Sequence, residues 1–170
     1  MKKSSYALVA LSLGAALMAG CASQPPQPGA SASLQPRSGS STMGTVSFSS
    51  RGADKLLVTV DISGLKPNAE HGFHVHEKGD CSAPDAMSAG GHFNPMGKQH
   101  GGHAGDIPNL KTDGQGRVRG SFEVSGMSIG SGAGDVIGKA VVVHRDPDDY
   151  KSQPAGNSGP RIACGVVQRV

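Results

Sequence analysis

The chain has 170 residues, enough for one domain of ordinary size with additional terminal segments. Its formal net charge of +3 includes Lys2 and Lys3 and falls to +1 without them. No basic stripe is interleaved with aromatic residues, so nucleic acid is not expected as a partner. Because there are 26 glycines and no Trp, the core has to come from Val, Ile, Leu, Phe and Ala.

Residues 1–21 have the composition of a secretory signal peptide. Two lysines precede an apolar run over residues 6–18, which is too short to span a bilayer as a permanent helix. Residues 17–21, with the sequence LMAGC, resemble the lipobox of bacterial lipoproteins, in which the cysteine is acylated. We therefore expect the leader to be removed and Cys21 to carry a lipid. A plain secreted protein with a stray thiol is the alternative.

These features predict an extracytoplasmic protein of the periplasm or cell envelope, attached to a membrane through its N-terminal lipid. Ala22, which follows the lipobox cysteine, favours the outer membrane of a Gram-negative cell. Residues 22–40 are rich in Pro, Ser and Gly, and such a composition buries too little apolar surface to fold alone. They are predicted to form a flexible tether. The folded domain is predicted over 31–170, with 31–36 as a candidate first edge strand.

The number of cysteines is odd, which is informative in a secreted protein. If Cys21 carries the lipid, Cys81 and Cys164 remain as a pair, and a disulfide between them would persist in an oxidising compartment. In the chain-entropy model, closing so long a loop stabilises a protein by roughly 4 to 5 kcal/mol. Two unrelated buried thiols are the alternative.

From Gly44 onward the sequence has short alternating runs that are typical of β-strands. Gly, Pro, Asn and Asp separate these runs, and no stretch has helical periodicity. An all-β sandwich or barrel is therefore predicted. Two segments, about 77–112 and about 145–160, have no strand pattern and are predicted to be long functional loops. The predicted strands are 45–48, 57–62, 118–124, 137–144 and 162–170, besides the histidine-bearing strand at 71–77.

All seven histidines lie between residues 71 and 144. In an extended strand His74 and His76 lie on the same side, about 6.5 to 7 Å apart, while Phe73 and Val75 face the core. That separation allows both imidazoles to bind one metal ion. His71 faces away from this pair and is expected to be a surface or core-edge histidine without a metal role.

The other histidines complete two candidate ligand sets that share His92. Four imidazoles in a flattened arrangement suit Cu(II), whereas three imidazoles and a carboxylate in a tetrahedron suit Zn. A ring with two nitrogens could belong to both sets as a bridge. The first set is His74, His76, His92 and His144, and the second set is His92, His100, His103 and Asp106.

In these segments the chain resembles a bacterial copper/zinc superoxide dismutase. The resemblance covers roughly residues 31–170 and rests on several segments in the family's order: GFHVHE at 72–77, GDC at 79–81, GHFNP at 91–95, HAGD at 103–106, VVH at 142–144 and GNSGPRIACGV at 156–166. It implies an eight-stranded Greek-key barrel that dismutates superoxide, with the first set binding copper and the second set binding zinc. It also implies that a Cys81–Cys164 disulfide clamps the metal loop to the last strand.

The resemblance assigns further roles. His92 would bridge the two metals and hold a proton when copper is reduced, and Arg161 would attract the anionic substrate, helped by rim charges such as Lys151. Asp148 matches the acid that bonds a copper-ligand and a zinc-ligand histidine together. Its neighbours at 146 and 149 leave that assignment open.

One departure from the family concerns the second set. His100 and His103 are only three positions apart, several fewer than the family's usual zinc loop provides. Gly101 and Gly102 supply backbone freedom, but the zinc geometry would have to be rebuilt in a shorter turn.

Two other functions are consistent with the histidines. A metal-buffering module would bind copper and zinc without turnover. A metal-assisted hydrolase would need an open coordination position and a general base, for which Glu77 is the only candidate beside the HVH strand. The sequence favours the dismutase over both, and it does not distinguish a monomer from a homodimer.

Overall fold

Alternating buried and exposed residues produce strands along most of the chain, and the computed structural model describes residues 29–170. A single 3-10 turn, Met87–Ala89, lies between β4 and β5 within this range. None of the helices in residues 29–170 is long and apolar enough to cross a bilayer. The strands are β1 (Ala30–Pro36), β2 (Met43–Ser50), β3 (Lys55–Ser63), β4 (Glu70–His76), β5 (Asp106–Lys111), β6 (Val118–Ser125), β7 (Ala140–His144), β8 (Arg161–Val166) and β9 (Gln168–Arg169).

The strands form a nearly closed antiparallel barrel. Their hydrogen-bonded order is β5-β4-β7-β8-β1-β2-β3-β6, and the short β9 pairs with β1. The two ends of this order, β5 and β6, contact each other. The connections from β3 to β4 and from β6 to β7 join strands that are not neighbours, which is the Greek-key pattern. The predicted all-β Greek-key barrel is therefore confirmed.

The barrel interior is filled by one side of each strand. Val46, Phe48, Val58, Phe73 and Val75 have no exposed surface and belong to one apolar cluster. Burying each such side chain contributes about 1.5–3 kcal/mol relative to leaving it in water. The alternate residues of β4 point the other way, so the core fixes the direction in which the strand's histidines face.

Strand β7 is buried on both sides. One side faces the barrel core, and the other, with Ala140 and Val142, packs against Ala86 and Ala89 of the connection between β4 and β5. This second, smaller apolar cluster holds the connection over the outer face of the barrel. The histidines on that face are therefore covered by protein.

Strand β1 corrects two expectations. It pairs with β2 on one side and with β8 and β9 on the other, so the prediction of an edge strand is wrong. Residues 30–36 also belong to the barrel and not to a tether, because Ala30, Ala32 and Leu34 alternate into the core despite the Ser-rich composition. The predicted signal peptide, Cys21 and residues 22–28 lie outside the described residues.

Strand β5 lies inside the segment predicted to be a loop. Its sequence contains Pro108 and Asn109, which weaken a strand pattern, and both residues oppose only Gly72 in a bulge between His71 and Phe73 of β4. A Pro is tolerated there because β5 is an end strand. The predicted loop at 145–160 has no strand, and the predicted run 162–170 divides at Val167 into β8 and β9.

Candidate metal centre

Strand pairing brings three histidines of the first set together. His74 and His76 are fully buried on one side of β4, with ring centroids 6.2 Å apart. His144 ends β7, the strand next to β4, and its ring lies 4.9 Å from that of His74 and 5.7 Å from that of His76. The period-two alternation that places Phe73 and Val75 in the core thus places these imidazoles together outside it.

His92 completes the first set from the long connection. It forms an isolated β-bridge with His76, and its ring lies 4.0 Å from that of His74 and 4.9 Å from that of His76. One nitrogen from each of the four residues lies within 4.8 Å of the others. The structure therefore brings together all four residues of the first set.

Backbone carbonyls fix which ring nitrogen faces inward. His76 Nδ1 donates to the carbonyl oxygen of Gly90 at 3.0 Å, and His144 Nδ1 donates to that of Gly159 at 3.1 Å. A carbonyl only accepts, so each of these Nδ1 atoms carries the proton and each Nε2 presents a lone pair. Such outer partners orient imidazoles for metal binding.

The inward nitrogens have no hydrogen-bond partner among the described residues. Buried polar atoms without a hydrogen-bond partner are unfavourable and rare. Four such nitrogens that face one another therefore indicate a bound group that can accept all four lone pairs. A metal ion does so, and four imidazole nitrogens suit copper. The unpartnered atoms are His74 Nδ1, His76 Nε2, His92 Nε2 and His144 Nε2.

Burial keeps three of these histidines, His76, His92 and His144, neutral. Desolvation lowers the pKa of His144 to about 3 and that of His92 to about 4, although the bond from His92 to Asp106 opposes the shift. The pKa of His76 is also held well below its ordinary value of 6.5, first by burial and then by the neighbouring His92. The neutral ring is the form that binds metal.

The second set is built around one carboxylate. Asp106 Oδ1 lies 2.8 Å from His92 Nδ1, 3.2 Å from His103 Nδ1 and 3.3 Å from His100 Nδ1. Its other oxygen, Oδ2, accepts hydrogen bonds from the backbone N–H groups of Gly101 and His103, at 2.8 and 3.0 Å. Three nitrogens and one carboxylate oxygen thus converge, which is a donor set that suits zinc.

The shortened turn is compatible with this arrangement. Gly101 has φ = +88°, a conformation that other residues rarely adopt, and it lets the chain reverse between His100 and His103. The pKa of Asp106 is lowered, because hydrogen bonds from His92 and from the backbone of His103 outweigh the opposing effect of burial. The carboxylate therefore stays ionised as a ligand must.

Asp148 joins the two sets. Its Oδ2 accepts from His74 Nε2 and its Oδ1 from His100 Nε2, both at 2.8 Å. Burial raises its pKa, but these bonds outweigh that effect and lower it overall. Of the alternatives, Asp146 pairs with Arg145, and Asp149 accepts bonds within its own turn. Of the three side chains, only that of Asp148 bonds histidines of the two sets.

Arg161 lies at the opening of the first set. Its Nη1 donates to the carbonyl of Ala86 at 2.8 Å and its Nη2 to that of Gly90 at 2.7 Å. Together with His144 it lines a cavity of about 240 Å³. Burial lowers the pKa of Arg161, yet a guanidinium remains charged at neutral pH. The cavity therefore presents a fixed positive charge together with His144, whose Nε2 has no partner in the described part of the chain.

The connection that carries these carbonyls is joined to the barrel by a covalent bond and by hydrogen bonds. Cys81 and Cys164 form a disulfide, which joins the connection to β8. Arg37 adds a second link, because its Nε and Nη2 both donate to the Cys81 carbonyl, at 2.9 and 2.7 Å. Sequence reasoning did not single out Arg37, since nothing in its Ser- and Gly-rich surroundings indicates a distant carbonyl partner.

Two other residues hold backbone groups of the centre in ways that the sequence does not predict. His71 is 1 % exposed, which excludes the surface alternative, and its Nδ1 donates to the carbonyl of His144 at 3.0 Å. Asn109 was not singled out, because it lies in a segment read as a loop. Its side-chain amide bonds both the N–H and the carbonyl of Asp148, at 2.9 and 3.0 Å.

A barrel that carries a four-imidazole set and a three-imidazole, one-carboxylate set, with one ring common to both, defines a two-metal protein of the copper and zinc type. Residues 42–167 match the profile of the family described as copper/zinc superoxide dismutase (SODC). The chain therefore belongs to the copper/zinc superoxide dismutase family. Its cofactors are copper and zinc, and its activity is the dismutation of superoxide.

Individual relatives agree with this assignment. "Superoxide dismutase [Cu-Zn] 2" of Aquifex aeolicus (strain VF5) is 47% identical over 123 residues, which cover 66% of this chain and 72% of that protein. "Superoxide dismutase [Cu-Zn]" of Cordyceps militaris is 44% identical over 137 residues, covering 73% of this chain and 88% of that protein. The crystal structure of a SOD-like protein from Bacillus subtilis has a TM-score of 0.74 at 36% identity and covers 80% and 96% of the two chains.

Proposed function

We propose that the first set holds copper and the second set holds zinc, with His92 as the ligand common to both. The carrying observation is the group of four inward nitrogens that have no hydrogen-bond partner among residues 29–170, one of which belongs to His92. His92 would use Nε2 toward copper and Nδ1, which faces Asp106, toward zinc. Asp148 fixes the orientation of one ligand from each set.

Bound copper supplies the redox chemistry: an electron is taken from one superoxide, which leaves as dioxygen, and is given to a second, which leaves with two protons as hydrogen peroxide. His92 Nε2 can hold one of these protons, because this nitrogen has a lone pair and no hydrogen-bond partner among residues 29–170. His92 Nδ1 remains anchored beside Asp106, so the ring keeps its position while the proton is held. We assign His92 this proton-holding role.

Arg161 is proposed to guide and orient superoxide. Both Nη atoms are tied to backbone carbonyls, so the guanidinium is held in place in the cavity wall. A fixed positive charge in a cavity attracts small anions and raises their encounter rate. Lys151, in the loop at 145–160, is exposed and can add to this long-range attraction.

We further propose an extracytoplasmic location with a lipid anchor at Cys21. The support is the lipobox-like sequence LMAGC and the disulfide, which leaves Cys21 as the odd cysteine of three. A disulfide also suits an oxidising compartment. Residues 22–29 would then be the chain between the anchor and β1.

The experiment that tests the catalytic assignment combines metal analysis with superoxide consumption. Wild-type protein and a His92→Ala variant are loaded with copper and zinc, their metal content is measured, and superoxide decay is followed by stopped-flow absorbance. The assignment expects one copper and one zinc in the wild type, and a loss of turnover in the variant even where copper is retained. Copper-loaded wild type without turnover would instead favour a metal-buffering module.

The location is tested separately by expressing the full chain and a Cys21→Ser variant in a Gram-negative host. We expect the wild type in the outer-membrane fraction with an acylated N-terminus by mass spectrometry, and the variant without the acyl group and depleted from that fraction. A wild type that is soluble and unacylated would overturn the lipid anchor without affecting the catalytic assignment.

A further inference from the structure

Gln153 makes a pair of hydrogen bonds to the backbone of one residue in the second set. Its Oε1 accepts from the N–H of His100 at 2.8 Å, and its Nε2 donates to the carbonyl of His100 at 3.3 Å. Nε2 also donates to the carbonyl of Lys151 at 3.2 Å, which fixes the amide within its own loop. A primary amide has both the donor and the acceptor that this contact needs.

The contact with Gln153 holds the backbone of His100, and Asp148 holds its ring. His100 Nε2 donates to Asp148 Oδ1 at 2.8 Å, and Asp148 belongs to the same loop at 145–160 as Gln153. The remaining ring nitrogen, Nδ1, is buried, has no hydrogen bond to any residue that the structure describes and lies 3.3 Å from Asp106 Oδ1. One loop therefore fixes both the backbone and the ring of His100, and leaves free only the atom that faces the second set.

The contact between Gln153 and His100 matters because two glycines follow His100 in the chain. Gly101 and Gly102 are exposed and conformationally permissive, so they cannot by themselves hold His100 in position. The loop that supplies Gln153 also walls the cavity at the first set, where Gln153 and Arg161 are both lining residues. The amide thus connects the short turn of the second set to the wall of the cavity.

We propose that Gln153 is a positioning residue for zinc, which fixes His100 against the cavity loop and compensates for the shortened turn between His100 and His103. The inference rests on the proposed zinc assignment of the second set. Outer partners of metal ligands typically change metal affinity by 10–100-fold when they are removed. Because Gln153 acts through the backbone and is itself exposed, we expect its removal to lower zinc affinity by a factor at the low end of this range.

Three substitutions separate this role from a general effect on the surface. Gln153→Leu removes both bonds at similar size. Gln153→Glu keeps an oxygen that accepts from the His100 N–H but loses the donor. Gln115→Leu is the matched control, because Gln115 is an exposed glutamine in the turn between β5 and β6 whose side chain has no hydrogen-bond partner in the described structure.

The test uses the full chain with copper in place and either Zn(II) or Co(II) in the second set. Zinc release into an excess of chelator is timed, and the visible absorption of the Co(II) form reports the geometry of the site. We expect Gln153→Leu to release zinc about tenfold faster and to shift the Co(II) spectrum. Gln153→Glu should fall between Gln153→Leu and the wild type, and Gln115→Leu should match the wild type.

The outcomes are distinct. Wild-type release kinetics and an unchanged Co(II) spectrum in Gln153→Leu would overturn the positioning role and leave the zinc assignment standing. Equal acceleration in Gln115→Leu would also overturn it, since the effect would then belong to any surface glutamine. A wild-type protein that takes up neither Zn(II) nor Co(II) in the second set would overturn the zinc assignment and this inference together.

Discussion

His74 and His100 lie almost at right angles, with ring centroids 6.2 Å apart, and each donates its Nε2 proton to a different oxygen of the same carboxylate. One ring belongs to the first set and the other to the second set. The carboxylate of Asp148 is fully buried, and the side chain of Asn109 holds its backbone from β5. The two sets are therefore linked through Asp148 as well as through His92.

Replacing Asp148 with Asn should weaken the binding of at least one of the two metals. An amide oxygen can accept from one imidazole, but its NH₂ group cannot accept from the other, so one ligand loses its orientation. We expect a 10–100-fold loss of affinity for at least one metal, measured by competition with chelators of known affinity. The control is Asp146→Asn, whose carboxylate pairs with exposed Arg145. Wild-type affinities for both metals in Asp148→Asn would contradict this role.

Replacing Arg161 with Gln should slow the enzyme without removing its metals. The change removes the fixed charge in the cavity but touches no ligand nitrogen, so kcat/KM for superoxide is expected to fall about tenfold or more. The wild-type rate should decrease with ionic strength more steeply than that of the variant. Arg119→Gln, on the exposed side of β6, is the matched control. A variant as fast as the wild type at low salt would remove Arg161 from the mechanism.

Loss of the disulfide should destabilise the barrel and disturb the cavity. The Cys81→Ser, Cys164→Ser double variant is expected to lose about 2–5 kcal/mol of unfolding free energy, measured by denaturant titration of the metal-free protein. Superoxide turnover should fall too, because the carbonyls of Ala86 and Gly90 that hold Arg161 lie in the released connection. Cys21→Ser serves as the control and should match the wild type. Equal unfolding midpoints for the double variant and the control would exclude a stabilising role.

The metal-free protein should lose stability as the pH falls below about 6.5. In the folded state the pKa of His92 is about 4 and that of His144 about 3, and that of His76 is also lowered. Between these values and 6.5 the unfolded chain binds protons that the folded chain does not, so acid favours unfolding. Over this pH window, each such histidine lowers the unfolding free energy by about 1.4 kcal/mol for every unit by which the pH falls. Denaturant titrations from pH 7 to 4 test this, and a constant unfolding free energy would contradict it.

The strand features that depend on local periodicity are mostly predictable from the sequence. Alternation along β4 placed His74 and His76 on one face and Phe73 and Val75 on the other, and the structure has this arrangement. Strand β5 was missed, because a bulge around Gly72 accommodates a Pro and an Asn that weaken the strand pattern.

Long-range contacts to backbone atoms are not predictable from the sequence. Arg37 bonds the distant carbonyl of Cys81, and Gln153 bonds the distant backbone of His100. The sequence does not show which backbone carbonyl will lie beside a given side chain. The shortened turn at 100–103 was expected to require a rebuilt zinc site. Its geometry depends on Asp106 Oδ2 bonding two backbone N–H groups, which follows only from the folded turn.

The most direct test of the shared imidazole is a crystal structure of the metal-loaded protein with anomalous data on both sides of the copper and zinc absorption edges. We predict one copper at Nε2 of His92, with His74, His76 and His144, and one zinc at Nδ1 of the same ring. A loaded protein in which His92 binds only one ion, or neither, would contradict it.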